Sequence, residues 1–149
     1  MPKSTTSFLV DINVWLAIAY DLHVHHDLAV HWFESIDAEQ AVFCRLTQLG
    51  LLRLLTNSKV MGADVMGQSR AWQVFDKFLS DVRVRFLAEP EQMDPVFRRL
   101  TRSHRPATNA WADAYLGAIA EVSGLAVVSM DRAFANMPGV EAVILGRTS

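Results

Sequence analysis

Apolar residues in this chain fall into brief runs and one-sided stretches that alternate along its length. Phe8-Leu9-Val10 is a short run that predicts a strand, and Asn13-Val14-Trp15-Leu16-Ala17-Ile18 predicts a helix that Asn13 could cap. From Asp27 to Ile36, the residues Leu28, Ala29, Trp32, Phe33 and Ile36 share one face at helical spacing, and Ala41-Val42-Phe43-Cys44 reads as a second strand. A helix from Leu46 to Asn57 carries Leu49, Leu51, Leu52, Leu54 and Leu55 around its whole axis, which predicts burial on most sides. Ser58 to Gln68, with Gly62 and Gly67, reads as a loop, and Ser69 is placed to cap an amphipathic helix bearing Trp72, Val74, Phe75, Phe78 and Leu79.

Val82 to Leu87 alternates like a strand, and a helix through Met93, Val96, Phe97 and Leu100 runs into a basic stretch. Thr108 is expected to cap the next helix, which Gly124 stops. Leu125-Ala126-Val127-Val128-Ser129 is a continuous apolar strand of the kind covered on both faces of a parallel sheet, and Ala142-Val143-Ile144-Leu145 is the expected last strand. Strands regularly separated by helices predict a three-layer α/β/α sandwich around a central, mainly parallel sheet.

Nothing in the 149 residues reads as a repeat, a low-complexity tract or a Pro/Gly/Ser linker, so a single domain over residues 1–149 is expected. A hydrophobic share of 51% against 20% charged residues excludes disorder as the main state. The opening residues to Thr6 and the run cut by Asp11 and Asn13 offer neither a secretory segment nor a membrane span, so a cytoplasmic protein with no membrane partner is expected. Cys44, the only cysteine, excludes an internal disulfide, and Cys/His pairs at zinc spacing are absent. A net charge of -2 gives no global basic field, so a nucleic acid would have to be held by local patches.

Ligands of open parallel sheets bind beyond the carboxyl ends of the strands. Asp11 ends the first strand and Asp131 follows the strand Leu125–Ser129 by one residue, so both side chains are expected at one rim. Asp113 lies in apolar helical surroundings, Trp111-Ala112-Asp113-Ala114-Tyr115, where an isolated carboxylate needs a partner or a metal. Asn109 and Gly117, four residues to either side, share its helix face and leave room for a hydrophilic group. Three converging carboxylates call for a cation, and an all-oxygen set suits Mg²⁺ or Mn²⁺, the arrangement used in phosphodiester hydrolysis.

The segments Phe8–Ala17, His23–Phe33, Leu46–Thr56, Asp113–Leu116 and Val128–Phe134, in that order and spanning nearly the whole chain, resemble the PIN-domain ribonucleases. More narrowly, they resemble the VapC-type toxins of bacterial toxin-antitoxin pairs. The resemblance implies a metal-dependent endoribonuclease that cuts structured RNA such as tRNA, is silenced by a VapB-type antitoxin, and forms a homodimer. It also implies that Asp11, Asp113 and Asp131 are the catalytic metal ligands, with Mg²⁺ or Mn²⁺ as cofactor. Ser129 stands where the family often has Thr and is expected to hydrogen-bond the metal shell; Asn13 and Asn109 are expected in supporting places. One departure matters: the family's second acidic residue, a Glu on the third helix, aligns with Gly50, which supplies no ligand.

Arg98, Arg99, Arg102 and Arg105, with His104, lead into the Asp113 helix and are expected to bind the RNA backbone. Arg53 reads either as orienting an acidic partner or as a snorkelling side chain. His23, His25, His26 and His31 do not share one face and are expected to cap and pack the second helix rather than hold a metal. The Val60 to Met66 stretch offers adaptable apolar side chains to a partner. Two other functions compete. A haloacid-dehalogenase-like phosphatase would need an acid at Asn13 and another at Ala135, and a catalytically weakened PIN-like binding module would follow from the loss at Gly50.

Overall fold

The structure is a computed structural model that describes residues 6–146; the opening stretch Met1 to Thr5 and the closing Arg147 to Ser149 lie outside the described residues. Five strands, β1 (Phe8–Val10), β2 (Ala41–Phe43), β3 (Val84–Phe86), β4 (Ala126–Ser129) and β5 (Ala142–Ile144), form one sheet in the order β3-β2-β1-β4-β5. Every neighbouring pair is parallel, with Leu9 level with Val42 on one side and Val127 on the other. Alternation along each strand divides the apolar side chains between two cores. Val10, Phe43, Val84 and Val128 enter one; Leu9, Val42 and Val127 enter the other.

The first core is roofed by α1 (Ile12–Ala19), α2 (His26–Glu34), α3 (Arg45–Leu55) and α5 (Gln68–Leu79), with the short α4 (Ser58–Met61) between the last two. Its centre is aromatic. Trp15 stacks on Phe43 at 3.8 Å between ring centroids and meets Phe33 and Phe78 edge to face, geometry favoured by the ring quadrupoles. The second core lies under α6 (Asp94–Leu100) and α7 (Ala110–Ser123), which contribute Leu116, Ile119 and the half-buried Phe97 and Leu100. The three-layer sandwich is as expected, with a fully parallel sheet.

Several local expectations are corrected. The cap of α1 is the Asp11 side chain, which accepts from Ile12 N, and not Asn13, which lies inside the first turn. Helix α3 is capped by Cys44, whose N–H donates to Thr47 Oγ1, and it buries mainly one face: Leu51 and Leu55 are fully covered while Leu49 is 51% exposed. Ser58 to Gln68 is not simply a loop. Asn57 accepts from Lys59 N and starts α4, a 3-10 turn follows at Gly62–Asp64, and Met61 is buried in the core rather than free for a partner. Ser69 and Thr108 cap nothing: α5 follows Gly67 and α7 follows Asn109, neither with a side-chain capping bond. Gly124 does stop α7, in the left-handed conformation at φ 69°.

Candidate active site

Strand order reverses between β1 and β4, which pair directly, so the residues that leave their carboxyl ends are neighbours. Asp11 follows β1 and is only 8% exposed. Its Oδ1 accepts from Ile12 N at 2.8 Å, the capping bond that also turns the chain into α1. Its Oδ2 accepts from Ser129 Oγ at 2.7 Å. Ser129 is fully buried at the end of β4, and its Oγ accepts in turn from Asp131 N at 2.9 Å. Asp131 Oδ1 then accepts from Ala133 N at 2.9 Å, capping the 3-10 turn Arg132–Asn136. One serine therefore links both strand-end aspartates.

Asp113 comes to the same cleft from above, out of the first turn of α7. Ile12 and Asn13 from α1, and Gly50, Arg53, Leu54 and Asn57 from the α3 side, complete the lining. Gly50 contributes no side chain, and none fits there readily: a Cβ would lie 2.2 Å from Ile12 Cδ1 and 2.7 Å from its Cγ1. Ile12 fills the space an acid on this helix would need.

Residues 8–140 match the PIN domain family model. The chain is 39% identical to Ribonuclease VapC41 of Mycobacterium tuberculosis over 144 residues, covering 93% of this chain and 99% of that protein. This is a PIN-domain protein of the VapC family. It is also 30% identical to Ribonuclease VapC38 of Mycobacterium tuberculosis, over 83% of this chain and 84% of the relative. Among solved structures, VapBC2 from Rickettsia felis bound to a promoter DNA fragment aligns with a TM-score of 0.69 at 12% identity, covering 94% of this chain and 99% of that one. Mycobacterium tuberculosis VapC20, described as a Sarcin-Ricin loop cleaving toxin, aligns with a TM-score of 0.63 at 18% identity, covering 90% and 98%. At those identities the likeness shows the fold.

In this VapC-family cleft the carboxylates disturb one another. Burial, and then the charges of Asp11 and Asp131, push Asp113 up from the ordinary 3.8 to about 6. Asp11 is also raised, chiefly by burial, against the opposing hydrogen bonds from Ser129 and Ile12. A cation relieves this repulsion. Among the described residues no three His, Cys, Asp or Glu side chains close into a ready-made cage, and the aspartates instead border an open cleft. The all-oxygen donor set fits Mg²⁺ or Mn²⁺ better than a softer metal.

The supporting residues divide. Ser129 lies beneath the aspartates, hydrogen-bonded to Asp11, and Asn13 is in the cleft lining. Asn109 is exposed ahead of α7 and does not line the cleft, and Gly117 makes room for Met137 and Val140 rather than for a ligand. In the basic stretch, Arg98 pairs with Asp94 at 2.7 Å, while Arg99 pairs with Glu121 and donates to Pro138 O. Arg102 and Arg105 are exposed, and the arginine–carboxylate pairs among the described residues do not include them. The histidines pack locally, with His26 Nδ1 2.7 Å from Ala17 O and His23 Nδ1 accepting from His25 N. Asn57 was invisible in the sequence as a lining residue, because its place depends on how α3 packs against α1 and on the turn that leads into α4.

Proposed function

We propose that this protein is a divalent-metal-dependent endoribonuclease acting as the toxin of a toxin-antitoxin pair, with Asp11, Asp113 and Asp131 as metal ligands. The observation that carries the reading is the meeting of three aspartates from β1, β4 and α7 at the point where strand order reverses. Bound Mg²⁺ or Mn²⁺ would supply a water of lowered pKa and polarise a phosphate oxygen. Ser129 Oγ holds the Asp11 carboxylate and Ala133 N–H holds that of Asp131, and a bound cation would favour the ionised form of Asp113. Arg102 and Arg105 meet the RNA backbone beside α7.

The partners of this reading are RNA, with structured RNA such as tRNA as substrate, a VapB-type antitoxin, and a second copy in a homodimer. The solved neighbours described as VapBC complexes support the antitoxin, and the relatives named as ribonucleases support RNA as substrate. No described helix is long and apolar enough to cross a membrane, which fits action in the cytoplasm. A single domain spanning residues 1–149 is part of the same reading.

A direct test offers purified protein an RNA pool and a phosphate monoester, each with Mg²⁺, Mn²⁺ or EDTA. RNA cleavage abolished by EDTA supports the reading. Hydrolysis of the monoester alone would favour a phosphatase, and RNA binding without cleavage would favour a binding module.

A further inference from the structure

Among the described residues three arginines are tied to carboxylates: Arg83 to Asp81, Arg98 to Asp94 and Arg99 to Glu121. Arg53 is not in those pairs. It is exposed, and among the described residues lining the acidic cleft it is the only cation.

Helical spacing explains how it gets there. Gly50, Arg53 and Leu54 lie three and four residues apart in α3, so they share one face, and they line the cleft together with Asn57, which follows the helix. The branched side chain of Ile12 occupies the space above Gly50. Arg53 is therefore the first polar group along that face.

A phosphodiester entering this cleft brings a negative charge towards three carboxylates, and its transition state places more charge on the phosphate oxygens. A metal at the aspartates offsets this on one side. On the α3 side the lining offers Arg53. A guanidinium stays protonated at any working pH, and its planar fork matches two phosphate oxygens with parallel N–H bonds.

We propose that Arg53 binds the phosphate of the RNA linkage being cut and stabilises its transition state. The inference rests on the ribonuclease reading above. In the hydrolysis, the water oxygen bonds to phosphorus, one ester P–O bond breaks, and the water's proton ends on the departing oxygen. Arg53 keeps its own proton throughout and supplies only hydrogen bonds and charge.

The test compares wild type, Arg53→Ala and Arg53→Lys in two ways, with Arg53→Gln replacing an Ala variant that does not fold. Under saturating RNA with Mn²⁺, Arg53→Ala should lower kcat about 100-fold, with Arg53→Lys between it and wild type because it restores charge without the fork. In EDTA, anisotropy of a fluorescein-labelled single-stranded RNA should show the salt slope of binding reduced by about 0.7 in Arg53→Ala, the loss of one phosphate contact. With an active wild type, a change in only one readout, or in neither, overturns the proposal. If the wild type cleaves no RNA, the ribonuclease reading falls by itself, and the EDTA binding slope alone decides whether Arg53 holds a phosphate.

Discussion

A single hydroxyl ties the Asp11 carboxylate to the backbone of Asp131. Ser129 Oγ donates to Asp11 and accepts from Asp131 N, all in buried or half-buried surroundings where an unpaired polar group costs about 1–3 kcal/mol. Ser129→Ala should therefore lower stability by roughly that amount in denaturant melts and push Asp11 further up, because the lost bond favoured its ionised form. Mn²⁺ titrations should show the metal affinity of the variant moving to higher pH. Asp113 makes a second, signed prediction. Its carboxyl titrates near 3.8 when unfolded and near 6 when folded, so between those values the folded chain holds more protons and stability falls as pH rises. Metal-free Asp113→Asn should melt a few degrees above wild type near neutral pH, and the gap should narrow as pH falls towards about 4 and close below it, where the unfolded carboxyl is protonated as well. A gap that persists unchanged in acid would contradict the charge account.

At the scale of elements, α1 and α3 are fitted to each other through Ile12 and Gly50, and that fit decides which groups reach the cleft. Gly50→Ala in the native background combines a gain in helix propensity of about 1 kcal/mol with a clash against Ile12. In an Ile12→Ala background the clash is absent, so the same change should be more favourable by roughly 1–2 kcal/mol in a double-mutant cycle of unfolding free energies. Additivity would mean that the two residues do not compete for space. The strand-end aspartates were legible in the sequence because a strand fixes where its last residue emerges, whatever packs above it. Asp113 was legible because a charged residue in an apolar helix stands out. The place of Arg53 was left open and that of Asn57 was missed, since the packing of one helix against another is a tertiary property. The caps were misassigned at Asn13, Ser69 and Thr108 because every Ser, Thr, Asp or Asn near a helix start competes for the role, and only the folded backbone selects among them.

For the whole molecule, the charge balance of -2 means that RNA must be drawn in by a local field. Arg98 pairs with Asp94 and Arg99 with Glu121, so the proposed RNA contacts of the basic stretch narrow to Arg102 and Arg105. Replacing both with Ala should raise KM and flatten the salt slope of RNA binding by about 0.7 per contact, while single-turnover cleavage at saturating RNA stays near wild type. The equivalent Arg98/Arg99 double variant should affect binding less. The layered architecture was predictable from the alternation of apolar runs and helices, whereas the Arg99–Glu121 pair depends on α6 and α7 lying side by side; Arg98–Asp94 is an i,i+4 pair within α6.

The central claim is that the three aspartates act together on an RNA phosphodiester. Its most direct test is single-turnover RNA cleavage with Mn²⁺ by wild type, Asp11→Asn, Asp113→Asn and Asp131→Asn, each confirmed as folded by its melt. Loss of cleavage by about 100-fold or more in every variant is the expected result, since each removes charge from the same cation site. Full cleavage by Asp113→Asn would contradict it.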